Sequence, residues 1–333
     1  MHRRCDWRMK LLDALQGKNR GRPPVWLMRQ AGRYLPEYRA LRANHTLREM
    51  FFTPSLAADV TLMPIRRFCF DAAILFSDIT AIAPALGYSL AFQEGPMVEP
   101  EATLLNWRDR NRNLALLDPI AEAALLVKQQ LDVPLIGFCG GPFTIATYLT
   151  GGKTQEWMGS NPEEFDAFLE SIAQMCVHSL QTQIAAGADA VQIFDSWADQ
   201  LDDTQFDRWS LRWFTKIASA VEKPVILFMR GSSERYEKLA KIPNVCISLD
   251  PGKKVSDVRK SVKCPLQGNL DPDLLFKGVV EVRQSVNQLL CEMEGDPGFI
   301  VNLGHGVKPG TPLEAVEALV AEIKKPRDSS LSS

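Results

Sequence analysis

The 333-residue sequence predicts an α/β fold, a single (β/α)8 TIM barrel with extra helices in its long first and second connections. Three observations lead to this prediction. Short apolar runs recur eight times, amphipathic helical patterns lie between several of them, and polar residues follow the runs directly. Strands that alternate with helices pair in parallel, and eight of them favour a closed barrel over an open sheet.

The predicted strands have the length and apolar composition of buried strands. They are Val25–Met28, Ala72–Phe76, Val133–Phe138, Ala190–Phe194, Pro224–Phe228, Val245–Leu249, Pro265–Gln267 and Phe299–Asn302. The alternation predicts one domain over residues 1–325. We expect residues 326–333, a short polar and serine-rich tail, to be disordered.

Three of the intervening helices carry start signals. Asp118-Pro119 precedes one helical pattern, and Asn161-Pro162 opens a long one that ends near Gly187. Thr311-Pro312-Leu313-Glu314 reads as a capping box with proline at the first helical position. The two long connections, residues 30–71 and 79–132, are expected to carry the extra helices and to form the rim of a cleft.

The composition argues against several classes of protein. The sequence has no apolar run of 18 residues, so no membrane span is expected. Its seven cysteines form no CxxC pair and no Cys/His cluster at zinc spacing, which fits reduced thiols and argues against structural zinc. The N-terminus has no apolar signal-peptide core, so we expect a cytoplasmic protein, in a bacterial cytosol or a plastid stroma. GxGxxG, Walker and HExxH motifs are absent, so these patterns give no support for a nucleotide cofactor or a metalloprotease zinc.

The net charge of −2 conceals an uneven distribution. Residues 1–42 contain eleven Lys and Arg residues and three acids, a charge of +8, whereas the rest of the chain carries −10. A basic segment on an acidic body suggests local attraction of an anion rather than general nucleic-acid binding. A solvated basic surface without a ligand is the alternative.

Chemistry-bearing side chains follow the predicted strands, and in a barrel the carboxyl ends of the strands hold the active site. In chain order they are Arg29 and Arg33; Ser77 and Asp78; Gly140, Gly141 and Tyr148; Asp195 and Ser196; Arg230; Asp250; Asn269; and Asn302 with Gly304-His305-Gly306. Each one alone has a structural explanation, because any loop is polar. Their combination around one mouth predicts an anion-binding cleft.

Two arginines follow the first predicted strand within the sequence PVWLMRQAGRYLPEYR, residues 24–39. The planar guanidinium donates two parallel hydrogen bonds, which suit a carboxylate or a phosphate. Arg29 and Arg33 are therefore predicted to bind an anion. The alternative is an ordinary charged loop.

The other candidates each have a structural alternative. Asp78 is expected to be partly desolvated and to need a cationic or N–H partner, but it could also be a turn or helix-capping aspartate. His305 lies between two glycines, which allow close approach of a ligand or simply a tight turn. Tyr148 could be a lid residue or could only pack its helix. Ser196 lacks the GxSxG elbow of a serine nucleophile, so a hydrogen-bonding role is favoured.

Six motifs together resemble the uroporphyrinogen decarboxylase family. They are MRQAGRYLPEYR (28–39), FSDI (76–79), GGPFTIATYL (140–149), FDSWAD (194–199), GNLDP (268–272) and NLGHGVKPGTP (302–312). They span nearly the whole chain in the family's order, and the first and last are long. One departure is Asp199, where the family has glycine, which puts the local turn after Ser196 in doubt.

The resemblance implies a cofactor-independent, cytoplasmic and homodimeric (β/α)8 enzyme of haem and chlorophyll biosynthesis. Its reaction converts the four acetate arms of uroporphyrinogen III to methyl groups, giving coproporphyrinogen III. Carried over by motif, the catalytic residues are Asp78, Arg29 and Tyr148, and the substrate-binding residues are Arg29, Gln30, Arg33, Asp78, Tyr148, Ser196 and His305. The resemblance implies no metal, no membrane and no nucleic-acid partner.

The implied chemistry suits these residue types. Decarboxylation of a pyrrole acetate needs an electron sink, which protonation of the ring carbon supplies as a cation. A carboxylate beside the pyrrole N–H groups stabilises that cation, and Asp78 is the candidate. Two rivals are a corrinoid-linked methyltransferase, whose zinc needs a His-x-Cys pair that this sequence lacks, and a non-catalytic tetrapyrrole carrier.

Overall fold

The computed structural model describes residues 10–92, 96–98, 104–231 and 234–326. The strands are β1 (Ala73–Ile74), β2 (Leu90–Phe92), β3 (Pro96–Val98), β4 (Leu135–Gly140), β5 (Ala190–Asp195), β6 (Val225–Met229), β7 (Val245–Ser248), β8 (Leu266–Leu270) and β9 (Phe299–Leu303). Seven of them form a parallel sheet in the order β1-β4-β5-β6-β7-β8-β9, and β2 and β3 form a separate antiparallel pair.

Helices alternate with these strands and cover the sheet. They are α1 (Lys10–Leu15), α2 (Pro36–Asn44), α3 (Leu47–Phe52), α4 (Pro54–Phe68), α5 (Asp118–Lys128), α6 (Pro142–Leu149), α7 (Thr154–Ser160), α8 (Pro162–Ala185), α9 (Asp203–Phe206), α10 (Arg212–Ser219), α11 (Tyr236–Leu239), α12 (Val255–Ser261), α13 (Val279–Glu292) and α14 (Leu313–Lys324). Short 3-10 turns lie at Pro84–Leu86, Leu104–Asp109, Leu114–Leu117, Ala198–Gln200 and Pro272–Phe276, and a π-helical turn at Asp207–Leu211 precedes α10. In the part of the chain described, no helix combines the length and apolar composition that a membrane span requires.

Seven of the eight predicted strands are confirmed, with small shifts at their ends. The prediction of a strand at Val25–Met28 is wrong, because only Val25 forms a bridge, a parallel one to Val301. Two features prevent the continuous backbone hydrogen bonding that would make residues 25–28 a strand. Pro24 has no N–H to donate, and the N–H of Met28 donates to the side-chain oxygen of Asn302, at 2.9 Å, instead of to a backbone carbonyl.

The Pro24–Met28 segment nevertheless lies between the last strand and the start of β1. Val301 N donates to Pro24 O at 2.9 Å on one side, and Asp71 N donates to Val25 O at 2.8 Å on the other. Trp26 Nε1 also donates to Gln267 Oε1 of β8 at 2.9 Å, so the segment is bonded to a second strand besides β9. These bonds fix where the following residue, Arg29, leaves the sheet.

A buried ion pair holds the start of this segment. Asp71 is 1% exposed and accepts from both terminal nitrogens of Arg22, at 2.7 and 2.8 Å, and from Val25 N at 2.8 Å. This bidentate geometry satisfies both carboxylate oxygens, which compensates for taking the charge out of water.

The predicted helix starts have mixed outcomes. The helices that follow Asp118 and Asn161 are confirmed as α5 and α8. The capping box at Thr311 is wrong, because α14 begins at Leu313 with Pro312 as its extended N-cap, and the Thr311 hydroxyl donates to Lys308 O at 2.8 Å. The threonine therefore closes the preceding turn instead of the helix.

The long connections have different contents. The first contains α2, α3 and α4, whereas the described part of the second contains the β2/β3 pair, three 3-10 turns and α5. Of the tail predicted to be disordered, residues 327–333 lie outside the described residues.

Candidate active site

A cavity of about 520 Å³ opens at the carboxyl ends of the parallel strands. It is lined by all the residues that the sequence predicted as the site, namely Arg29, Gln30, Arg33, Asp78, Tyr148, Ser196 and His305. They come from connections spread over nearly the whole chain, so the fold brings together what the sequence separates. The roles predicted for them remain predictions.

Three phenylalanines from neighbouring strands form one wall of the cavity. Phe138 of β4 meets Phe194 of β5 edge-on with ring centroids 5.6 Å apart, and Phe194 contacts Phe228 of β6 at 5.8 Å. The row ends on His305, whose ring lies 6.0 Å from that of Phe228. Sequence reasoning assigned these phenylalanines to strands and missed them as site residues. Their position near the carboxyl ends of three successive strands is the signal that could have found them.

Arg29 follows the Pro24–Met28 segment in a tight turn, in which Gln30 N donates to Leu27 O at 3.0 Å. Its backbone has φ of +57°, a left-handed conformation that is unusual for a residue with a Cβ. Gly306 makes room for it, because a Cβ at Gly306 would lie 3.0 Å from Arg29 Cβ. The side chain of Arg29 is exposed at the mouth, as is that of Arg33.

Gln30 differs from the two arginines beside it. It is fully buried, its Nε2 donates to Ala72 O at 3.4 Å, and its Oε1 accepts from Leu27 N at 3.4 Å. Both ends of the amide are thus bonded to the backbone. Gln30 stabilises the turn that presents Arg29, and a direct contact with a ligand remains a prediction.

Asp78 lies in the turn after β1, half-buried in the cavity wall. Its Oδ1 accepts from Thr80 N at 2.8 Å and from Thr80 Oγ1 at 2.6 Å, the pattern of a turn aspartate. No described residue donates to its other oxygen. Burial raises the pKa of Asp78, and the bonds from Thr80 and the charge of Arg29 offset this only in part. The carboxylate is therefore desolvated and incompletely paired.

His305 follows β9, lines the cavity and is half-buried. Burial lowers its pKa to about 4, and the nearby charges of Arg29, Arg230 and Lys308 act in the same direction. The imidazole is consequently neutral near pH 7, with one nitrogen that donates and one that accepts.

Tyr148 and Ser196 line the cavity from neighbouring elements. Tyr148 is half-buried whereas the other residues of α6 are buried, and its ring meets that of Trp197 edge-on, with centroids 6.1 Å apart. Ser196 follows β5 directly and is half-buried. Trp197 directly follows Ser196 in the chain, so its ring contact with Tyr148 couples the positions of Tyr148 and Ser196.

Several strand-end residues do not reach the cavity and brace loops instead. Asn269 donates to Asp250 O and Lys253 O, at 2.6 and 2.8 Å. Asn302 Oδ1 accepts from Met28 N and from Leu303 N. Within residues 10–92, 96–98, 104–231 and 234–326, no group of His, Cys, Asp and Glu side chains is arranged to hold a metal ion.

Comparisons with known proteins agree with one another. The sequence model of the uroporphyrinogen decarboxylase (URO-D) family matches residues 8–326. The uroporphyrinogen decarboxylase of Protochlamydia amoebophila (strain UWE25) is 45% identical over 334 residues, 96% of this chain and 92% of that protein. That of Chelativorans sp. (strain BNC1) is 41% identical over 338 residues, 96% of this chain and 98% of that protein.

Among solved structures, a methyltransferase from Methanosarcina mazei superposes with a TM-score of 0.80 at 21% identity, over 95% of this chain and 98% of that one. A likeness at this level of identity shows a shared fold and carries no information about the reaction.

Proposed function

The chain belongs to the uroporphyrinogen decarboxylase family and is a carboxy-lyase of porphyrin biosynthesis, and we propose that its reaction takes place in the cavity around Asp78. One observation carries this assignment. The cavity combines a desolvated, incompletely paired carboxylate in its wall with exposed arginines at its mouth, at the carboxyl ends of parallel strands. A substrate whose carboxylate arms lie at the mouth and whose pyrrole N–H groups lie inside the cavity is complementary to this arrangement.

Asp78 acts on the charge that develops during the reaction. Protonation of a pyrrole ring carbon creates a cation that takes up the electron pair released with CO₂. The exocyclic methylene carbon is then protonated to a methyl group, and the ring carbon loses the proton it gained, which restores the aromatic pyrrole with the net consumption of one proton. The N–H groups of the bound ring donate to the carboxylate oxygen that Thr80 leaves unbonded. Because the carboxylate is already held in place, its attraction for the cation is realised without reorganisation and lowers the barrier by about 3–4 kcal/mol.

The cations at the mouth bind the arms. Arg29 and Arg33 donate to acetate and propionate carboxylates, and their positive charge attracts an eight-carboxylate substrate to the mouth of the cavity. A guanidinium is a poor acid in water, so we assign Arg29 only a supporting part in proton delivery.

The remaining lining residues orient the macrocycle. The neutral imidazole of His305 and the hydroxyls of Tyr148 and Ser196 hydrogen-bond to arms, which aligns each acetate with the proton donor. The phenylalanine row supplies an apolar surface for the pyrrole rings.

We take the seven strands and the Pro24–Met28 segment as a (β/α)8 barrel that forms one domain over residues 1–325. The proposed enzyme uses no cofactor, because protons alone drive this chemistry, and it is a cytoplasmic homodimer. A sizing measurement tests the dimer.

A turnover assay tests the reaction. The protein is incubated with uroporphyrinogen III under reducing conditions in the dark, and the products are oxidised and separated by their number of carboxyl groups. We expect stepwise loss of the four acetate carboxyls and accumulation of coproporphyrin. If the substrate keeps all its carboxyls, with or without added metal, the proposal is wrong, and binding without product favours a tetrapyrrole carrier.

The methyltransferase alternative has its own test. The relevant corrinoid-linked enzymes hold zinc through a His-x-Cys pair, and the four histidines of this sequence have no cysteine two residues later. Zinc bound at about one ion per chain in the purified protein would support that alternative.

A further inference from the structure

We infer that Asp195, Thr144 and Ser210 form a buried set of positioning residues that holds Tyr148 and Ser196 in their places in the cavity. The inference rests on the proposed function, in which Tyr148 and Ser196 orient the substrate arms. None of the three lines the cavity, so they act through the residues that do.

Asp195 is the last residue of β5, next to Ser196, and is 1% exposed. Its Oδ1 accepts from Thr144 N at 2.9 Å, and its Oδ2 accepts from Ser210 Oγ at 2.6 Å. No described Lys, Arg or His side chain lies within ion-pairing distance of it. Burial raises the pKa of Asp195, and its bonds with Ser210 and with the side chain and N–H of Thr144 offset this in part. Removing one of these partners leaves a buried polar group unsatisfied.

Thr144 bonds to both neighbours of Ser196. It lies in the first turn of α6 and is fully buried. Its backbone N–H donates to Asp195, and its hydroxyl oxygen accepts from Trp197 N at 3.0 Å. Ser196 is thus held between two residues that are bonded to the same threonine. The ring of Trp197 in turn packs edge-on against Tyr148, one turn further along α6.

The start of α6 packs so closely against the end of β5 that the two elements cannot shift relative to each other. Gly141 N donates to Phe194 O at 2.7 Å, and a Cβ at Gly141 would lie 2.6 Å from Asp195 Cγ. Glycine is required for this approach, because no side chain fits between the helix and the carboxylate. The start of the helix that carries Tyr148 is consequently set by Asp195.

Ser210 fixes the carboxylate from the other side. It lies in the π-helical turn Asp207–Leu211 and is 1% exposed. Such wide turns occur mostly as single insertions in helices, frequently at functional sites. Here the turn places a hydroxyl 2.6 Å from Asp195 Oδ2, so three separate elements, α6, β5 and the π-helical turn, meet at one carboxylate.

Thr144→Val tests the inference with little change of shape. Valine keeps the backbone bond to Asp195 and removes the hydroxyl that accepts from Trp197 N. We expect kcat/KM for uroporphyrinogen to fall by about tenfold or more, because small misplacements of orienting groups slow a reaction to this extent. We also expect partly decarboxylated products to accumulate, since arms that are held less well are processed less evenly.

Two variants serve as controls. Thr144→Ser keeps the hydroxyl and is expected to restore most of kcat/KM and the wild-type product pattern. Thr147→Val makes the same substitution in the same helix, where the hydroxyl donates only to Phe143 O within α6, and is expected to behave like wild type. Ser210→Ala removes the hydroxyl that donates to Asp195 and is expected to reduce kcat/KM by a smaller factor, about threefold to tenfold.

Wild-type values of kcat/KM and product pattern for Thr144→Val would overturn the inference, as would an equal loss in Thr147→Val. Crystal structures of wild type and Thr144→Val separate this question from the proposed function. If the wild type has no decarboxylase activity, the proposed function fails, but displaced Ser196 and Tyr148 side chains in the variant still support the positioning set. If these side chains superpose in the two structures, the inference is wrong.

Discussion

The Pro24–Met28 segment has an arginine and an aspartate at each end, and the two pairs are used differently. At its start, Arg22 and Asp71 form a bidentate ion pair at 2.7 and 2.8 Å, with side-chain exposures of 19% and 2%. At the cavity end, Arg29 and Asp78 lie close enough for the arginine to influence the carboxylate's pKa, yet they form no ion pair within 4.0 Å.

The comparison shows that the same residue types serve opposite purposes. The first pair satisfies its own hydrogen-bonding groups, so it stabilises the fold and has nothing left for a ligand. The second pair is incomplete, so its electrostatic energy is available to a substrate and to the cation formed from it. The predictions below test this division, from the largest expected effect to the smallest.

Asp71→Ala should have the largest effect, and it should be on stability. The variant leaves Arg22 and the N–H of Val25 without their partner in a buried place, so we expect the free energy of unfolding to fall by about 3–5 kcal/mol. Asp257→Ala, which breaks the exposed pair with Lys260, is the control and should leave the free energy of unfolding close to that of wild type. Chemical denaturation measures both, and equal losses would contradict the proposed difference.

Asp78→Asn should affect turnover instead. We expect kcat to fall by a factor of about 100 to 1000, with a much smaller change in substrate binding. Asparagine keeps the oxygen that accepts from Thr80.

The same variant tests stability. Because the pKa of Asp78 is raised in the folded protein, ionisation of this carboxyl increasingly opposes folding as the pH rises above its pKa in the unfolded chain. The variant should therefore be as stable as wild type at pH 7, or more stable, in thermal unfolding. Turnover at the wild-type rate would remove Asp78 from the mechanism.

Arg33→Ala tests the mouth. Loss of one arginine that binds carboxylates should raise KM about tenfold and change kcat little, because this attraction is shared by substrate and transition state. The KM of wild type should rise with ionic strength, and that of the variant should rise less. Arg66→Ala, an exposed arginine of α4 outside this cavity, should match wild type. A salt dependence that is the same in Arg33→Ala and wild type would contradict carboxylate binding at this position.

His305→Gln should have the smallest effect, which is on the pH dependence of stability. Its pKa is lowered to about 4 in the fold, so the unfolded chain binds this proton more readily. The stability due to neutral His305 is complete above pH 6.5 or so and is lost as pH falls towards 4. Between pH 7.5 and 5, wild type should lose about 1 kcal/mol more than His305→Gln, after allowance for partial exposure. Parallel curves for the two proteins in denaturant titrations would refute this expectation.

Much of the fold was predictable because buried strands are short apolar runs, and seven of eight such runs form the sheet. The run at Val25–Met28 has the same composition, but the side chain of Asn302, distant in sequence, accepts the bond that a strand would form through its backbone. Local periodicity carries no information about such a partner. The same reason applies to Thr311, whose hydroxyl bonds backwards to Lys308.

The candidate site was predictable in part, since the rule that polar residues follow strands selected residues that line one cavity together with others, such as Asn269 and Asn302, that brace loops. It failed to separate Ser196, which lies in the cavity, from Asp195, which is buried behind it, because adjacent residues differ only in the direction of their side chains. It also missed Phe138, because an apolar residue in a strand looks the same whether it faces the core or a ligand.

The mouth of the cavity joins residues from nearly opposite ends of the chain. Val307 N donates to Met28 O at 2.9 Å, and Gly306 packs against Arg29. Contacts of such long sequence separation form slowly and late in folding. The Pro24–Met28 segment is synthesised before β9, so the turn at Arg29 cannot form its contacts with Gly306 and Val307 until the end of the chain has been made. We therefore expect decarboxylase activity to appear only after β9 has docked, because until then the turn that carries Arg29 lacks its contacts with Gly306 and Val307.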